Sequence, residues 1–139
     1  MSKFKKVYLK VVDVKQKTYT FAELKDFIDF TPKRLYIIAN QGSTTPTGQH
    51  CHHEEKEFFI MSQGSCTAII DAGKGKEDIQ LKTGEAINVP NYVWHGFKDL
   101  SPDALITALS STNYKEDRSD YIEDYDEYLK LRDEKLNAE

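Results

Sequence analysis

An all-β sandwich or barrel closed by a C-terminal helix is the fold class this sequence predicts. Three observations predict it. Short strand-like runs recur about every ten residues from Arg34 to Ser111. Gly, Pro, Asn and Asp punctuate them, and no stretch between those two residues carries the 3.6-residue period of a useful helix. The 139 residues fit one domain spanning 1–139, with a barrel over about 4–112 and a helix over about 119–136.

The elements follow in order. Phe4 to Val14 alternates apolar and polar residues (Phe4, Val7, Leu9, Val11), the period of a half-buried strand. The next stretch, FAELKDFIDFTPKR, has mixed periodicity and stops at Pro32, which predicts a turn or short helix. RLYIIAN reads as a buried strand, and QGSTTPTGQ as a loop on its Gly, Ser, Thr and Pro content. HCHHEEKEFFIMS, SCTAIIDA (bounded by Gly64 and Gly73), DIQLKT, AINV, YVWHGFKDL and ALITALSS complete the strand series. In the tail, Tyr121, Ile122, Tyr125, Tyr128, Leu129 and Leu131 recur at helical or near-helical spacing. Acidic Glu123, Asp124, Asp126 and Glu127 precede basic Lys130, Arg132 and Lys135, which suits the helix dipole. This segment reads as a solvated face over a packed one, without chemistry of its own.

Composition excludes several function classes. No apolar run approaches the ~20 residues that span a bilayer, so no membrane partner is expected. The 19 basic and 23 acidic side chains leave a formal charge of −4 with no basic stripe, so no nucleic acid is expected either. The partner this leaves is a small molecule. MSKFKKVYLKVVDV is basic at first, but Lys10 and Asp13 interrupt its apolar positions, and it reads as part of the fold rather than a signal peptide. Cys51 and Cys66 make no disulfide framework and are expected as reduced thiols in a cytoplasmic protein.

The informative segment is GQHCHHEEKE, residues 48–57. On a strand, His50 and His52 project to one face while Cys51 and His53 project to the other. A single inward histidine is usually core. Two on one face beside a Pro/Gly loop need partners for several ring nitrogens and point to a site.

His50-x-His52-x4-Glu57-x6-Gly64 fits the first motif of the cupins, and Gly84-x5-Pro90 continuing to His95 fits the second, with Tyr92 standing where glycine is usual. RLYIIAN, GQHCHH, QGSC, YVWHGFKDLSPDALITALSS and DYIEDYDEYL carry a closer likeness. From about Lys33 to the last helix the chain resembles the WxcM-like, cupin-type nucleotide-sugar 3,4-ketoisomerases. That resemblance implies a cupin jelly roll whose mouth holds the site, and a dTDP-linked keto sugar as substrate. It also implies an isomerase without a cofactor and a homodimer. Three positions depart from the pattern: Thr47 replaces an arginine, Lys15-Gln16 replaces an Arg-Gly pair, and Glu57 replaces a common glutamine.

Moving a carbonyl from C4 to C3 of the hexose requires removal of the C3 proton, an enediol and protonation at C4. Histidine suits the task because its ordinary pKa lies near 6.5. The resemblance assigns the base role to His50 and His52 without separating them. Tyr36 is implied as a pocket tyrosine or else a core residue, and His95 as a wall residue or a relay member. Lys15, Lys17, Arg34 and early aromatic residues are candidates for the nucleotide. Two alternatives stand beside this reading. His50, His52, Glu57 and His95 supply the three-His, one-carboxylate set of a metal-dependent cupin enzyme. A sugar-nucleotide-binding cupin without activity is the other, supported by Thr47. The resemblance further implies synthesis of a 3-amino-3,6-dideoxyhexose, with an aminotransferase acting next.

Overall fold

The structure is a computed structural model and describes residues 3–137. Its strands are β1 (Lys5–Tyr8), β2 (Lys10–Val14), β3 (Lys17–Phe21), β4 (Arg34–Ala39), β5 (Thr47–His52), β6 (Glu57–Gln63), β7 (Ser65–Asp71), β8 (Glu77–Lys82), β9 (Glu85–Val89), β10 (Trp94–Lys98), β11 (Leu105–Ser110) and β12 (Tyr121–Ile122). Two helices accompany them, α1 (Leu24–Phe27) and α2 (Tyr125–Lys135). The strands form two five-stranded sheets, ordered β1-β9-β6-β11-β4 and β12-β5-β10-β7-β8, and a separate β2-β3 hairpin. Every pairing is antiparallel. The expected all-β sandwich with a C-terminal helix is therefore present.

The main core lies between the two sheets. Phe59, Met61, Ile87, Val89, Ile106 and Ala108 come from one, and Cys66, Ala68, Ile70, Leu81 and Phe97 from the other. Alternation along each strand sends these residues inward while their neighbours face out. A smaller cluster around Leu9, Phe58 and Ala86 covers part of the outer face of the first sheet with Leu24, Phe27, Ile28 and Phe30. The short helix expected before Pro32 thus serves as a lid on that face.

Four sequence expectations need correction. The first strand is broken at the buried Leu9: β1 stays in the sheet beside β9, while β2 leaves to pair with β3. RLYIIAN is not buried throughout, because β4 is a sheet edge whose outward residues Leu35 and Ile37 are 58% and 56% exposed. The loop expected through Gln49 ends earlier, since Thr47–Gln49 already belong to β5. The last helix starts at Tyr125 rather than near 119, because Tyr121 and Ile122 pair with His52 and Cys51 as β12.

Helix α2 begins where the Asp124 carboxylate accepts hydrogen bonds from the backbone N–H of Asp126 (2.8 Å) and Glu127 (3.1 Å). Its apolar side, Tyr125, Tyr128 and Leu131, packs on Cys51, Trp94 and Ile122. The fully buried Asp71 holds it there. Asp71 Oδ2 accepts from Tyr125 Oη (2.7 Å) and Arg132 Nη1 (3.1 Å), and Oδ1 from the N–H groups of Gly73 (2.9 Å) and Gly75 (3.2 Å). Burial would raise the Asp71 pKa, but these donors hold it below the ordinary value. No helix among the described residues is long and apolar enough to cross a membrane.

Asp71→Asn keeps the shape and removes the charge that Arg132 pairs with. We expect a loss of about 3 kcal/mol, the scale for breaking a buried ion pair. Urea denaturation should show a lower midpoint at unchanged slope.

Candidate active site

Strands β5 and β10 build the site. They approach closely because Gly48 and Gly96 lie opposite each other, and a bulge follows His95. A Cβ on Gly96 would sit 2.6 Å from Gln49 Cγ, and one on Gly48, whose φ is +81°, would sit 3.0 Å from Gly96 Cα. Only glycine lets both strands pass there. His50 is then directly paired with His95, ring centroids 4.8 Å apart.

These rings open onto a cavity of about 580 Å³ lined by His50, His52, His95, Glu57, Tyr36 and Arg34, with Phe59 and Phe97 among its apolar walls. Its size is that of an ordinary small-molecule site. Thr47 also lines it, as do Tyr114, Arg118 and Tyr121 of the tail.

His50 and His52 share this face but are not equivalent. His50 is partly exposed, whereas His52 is 2% exposed and lies on the floor among three carboxylates. His52 Nε2 is 3.0 Å from Glu55 Oε2 and 3.3 Å from Glu57 Oε1, and Nδ1 is 3.3 Å from Asp120 Oδ2. Burial pulls the His52 pKa down, but Glu55 and Glu57 outweigh it and raise it to about 9. His50 has no such company. Burial and the charges of His95 and His52 lower it to about 3. At neutral pH the upper imidazole is therefore neutral and the lower one is an imidazolium.

Glu57 is the hub of the floor. Its Oε1 lies 3.2 Å from His95 Nε2, while Oε2 accepts a hydrogen bond from Tyr36. Burial would raise Glu57, but His52 and His95 hold it well below the ordinary carboxylate range. Burial and the Glu57 charge push the Tyr36 phenol far up. The His95 ring is fixed by Nδ1 donating to Val93 O at 3.0 Å. Glu55 accepts from Arg34, Ser110 and Thr112, and Asp120 accepts from the N–H groups of Glu54 (2.7 Å) and Glu55 (3.2 Å).

Five of the six expected site residues meet in this cavity: His50, His52, Tyr36, Arg34 and His95, with Glu57 among them. Lys15 does not. It lies exposed in the β2-β3 turn with a φ of 49° and is absent from the cavity lining. Glu55, Asp120, Arg118 and Tyr121 were missed by sequence reasoning. For Asp120 and Tyr121 the signal available was the DYI run, which the helical reading absorbed into the tail. The two thiols take no part. Burial pushes both Cys51 and Cys66 up to about 12.

His50, His52, Glu57 and His95 offer ligand atoms within 4.8 Å of one another, as do His52, Glu55 and Asp120. The buried Nε2 atoms of His52 and His95 make no well-aligned hydrogen bond, so the four-residue set fits a divalent transition metal.

A β-sandwich with a histidine-lined mouth defines a cupin-like protein. The family described as FdtA: WxcM-like, C-terminal, matches residues 2–133, and the chain belongs to it. It is 32% identical over 124 residues to the TDP-4-oxo-6-deoxy-alpha-D-glucose-3,4-oxoisomerase of Aneurinibacillus thermoaerophilus, covering 88% of this chain and 87% of that one. A 3,4-ketoisomerase from Helicobacter canadensis is 28% identical with a TM-score of 0.81, over 94% of this chain and 97% of its own. The WlaRB TDP-quinovose 3,4-ketoisomerase from Campylobacter jejuni is 27% identical with a TM-score of 0.81, over 94% and 99%.

The two histidines shift in opposite directions, so stability should peak near pH 6.5. The raised His52 contributes fully below its ordinary 6.5, and that contribution fades as pH climbs through about 9. The depressed His50 contributes above 6.5, and that contribution is lost as pH falls toward about 3. Urea denaturation across this range should show both limbs. His50→Gln should flatten the acid limb above about pH 5, where carboxylates do not yet titrate.

Proposed function

We propose that this protein is a 3,4-ketoisomerase that converts TDP-4-keto-6-deoxyglucose to its 3-keto isomer. The observation that carries the reading is a neutral imidazole, His50, facing a sugar-sized cavity above a caged imidazolium, in a chain of this family. His50 takes the C3 proton. The C–H electrons form the C3=C4 bond, and the C4 carbonyl oxygen takes up the resulting charge and a proton. Loss of the proton on the C3 oxygen forms the new carbonyl as C4 is protonated. Atoms and electrons balance within the sugar.

His52 has no free lone pair when protonated, so it acts as a fixed charge that, together with burial and His95, keeps His50 neutral, and with His95 holds Glu57 ionised. His95 and Tyr36 form the wall, tied to Glu57. Arg34 and Arg118 are the guanidinium groups of the cavity and suit the diphosphate, at a mouth where Thr47 replaces the arginine of the family pattern. We read the enzyme as cytoplasmic, where nucleotide sugars are made.

A homodimer completes the reading. Leu35 and Ile37 extend the apolar outer face at the β4 edge, and Val11, Val14, Tyr19 and Phe21 of the hairpin are 44–49% exposed. A sheet edge and an apolar hairpin left bare favour burial against a second copy. Replacing both Leu35 and Ile37 by glutamate should halve the mass seen by sedimentation equilibrium.

One observation favours a second reading: the four donors within 4.8 Å that fit a metal. A bound divalent ion would supply Lewis-acid polarisation of the substrate carbonyl. It would need His52 to give up the proton its carboxylates hold.

Turnover of TDP-4-keto-6-deoxyglucose, followed by proton NMR, tests the first reading. His50→Asn should lower kcat by about 10²–10⁴-fold with the fold intact by circular dichroism. Full activity in that variant refutes the assignment. Near-stoichiometric metal by elemental analysis, with activity lost on chelation, favours the second reading.

A further inference from the structure

Three tyrosines of the tail and β4 line the cavity, and they differ in what their hydroxyls do. The Tyr36 hydroxyl is committed to Glu57. Tyr114 is exposed and its side chain interacts with that of Arg118. The Tyr121 hydroxyl makes no hydrogen bond to any described residue.

The ring of Tyr121 is nonetheless held firmly. Its backbone is paired with His52 through β12. Its ring packs edge-on against both imidazoles, 4.8 Å from the His50 centroid and 4.5 Å from that of His52. The Arg118 guanidinium lies 4.0 Å from the ring centroid and is anchored by Glu123 at 2.7 Å. Asp120, one residue earlier, is fixed by Glu54, Glu55 and His52. A phenol clamped this way, with its polar end unspent beside a candidate base, is preorganised to donate to something that enters the cavity.

We infer that Tyr121 is a catalytic residue of this chain whose hydroxyl donates a hydrogen bond to an oxygen of the reacting hexose, C3 or C4, while His50 moves the carbon-bound proton. The inference rests on the ketoisomerase reading and deepens it. A ground-state ketone accepts such a bond weakly and an enediolate oxygen strongly, so the contact acts chiefly on kcat. Tyr121 supplies no proton to carbon and needs no co-reactant. It stabilises charge on oxygen as the C3–H bond breaks.

The test compares wild type with Tyr121→Phe, which keeps the ring, its packing on both histidines and the Arg118 contact. Two rates are followed by NMR in D₂O: conversion of TDP-4-keto-6-deoxyglucose and exchange of its C3 proton. We expect both to fall about 10²–10³-fold in Tyr121→Phe with KM changed less than about threefold, since one donor to a developing oxyanion carries that order of effect. Tyr121→Ala should add a rise in KM, because it also removes the wall. Equal kcat and exchange in wild type and Tyr121→Phe overturn the inference and leave the ketoisomerase reading standing. A change confined to KM also overturns it, by making Tyr121 a wall only. Wild type that neither converts nor exchanges refutes the reading itself, and the inference with it.

Discussion

The buried charge of His52 is the constraint on which the site depends. An imidazolium removed from water costs several kcal/mol unless opposite charge surrounds it. Here Glu55, Glu57 and Asp120 stand 3.0–3.3 Å away, on both ring nitrogens. At an effective dielectric near 20, each such contact is worth about 5 kcal/mol before desolvation is subtracted. The cage is also what joins distant parts of the chain. His52 ends β5, Glu55 lies in the following turn, Glu57 opens β6, and Asp120 arrives from the tail. Asp120 closes the set twice, by its contact with the ring and by accepting the N–H groups of Glu54 and Glu55.

That charge separates two histidines which the chain places on one face. Burial disfavours a charge on His50, and the fields of His95 and of His52, whose ring centroid is 4.8 Å away, add to that by more than Glu57 offsets, so His50 stays neutral. Neutrality keeps a lone pair available in a partly buried place. Glu57 contributes a negative charge at the centre of the floor, met by the His52 and His95 rings and by the Tyr36 hydroxyl.

Much of this was legible in the residues. Period-two alternation with Gly and Pro punctuation gave the sandwich, because strands half-buried between two sheets leave that pattern whatever their partners. His50-x-His52 gave the shared face for the same reason, and Glu57 and His95 came with the motif spacing. Other features were not legible, for reasons that lie in tertiary contacts. Tyr121 and Ile122 have a spacing compatible with a helix, and only pairing with His52 and Cys51 turns them into a strand. Glu55 and Asp120 are charged residues in polar surroundings, and charge in a sequence reads as surface until a buried cation is known to need it. Leu35 and Ile37 looked like core because apolar strands usually are, and nothing local marks a sheet edge. The difference in protonation between His50 and His52 depends on who stands beside each ring, which no spacing encodes.

The C-terminal segment ties the stability of the fold to the geometry of the site. Tyr128 is fully buried, donates its hydroxyl toward Asp71 O (2.9 Å) and Tyr92 O (2.7 Å), and lies 3.4 Å from Trp94 N. Trp94 immediately precedes His95, and its ring packs on Tyr125 and Tyr128. Docking of α2 through Asp71 and Arg132 therefore fixes the start of β10, and with it the ring that faces Glu57. A few residues before the helix, β12 fixes Tyr121 over the two other imidazoles. One stretch of chain, from Asp120 to Arg132, thus sets the charge of the floor, one wall of the cavity and the anchorage of the third histidine. A chain lacking that stretch would lose β12, the Asp120 carboxylate and the cover over Cys51 and Trp94, and with them the arrangement that makes His50 different from His52.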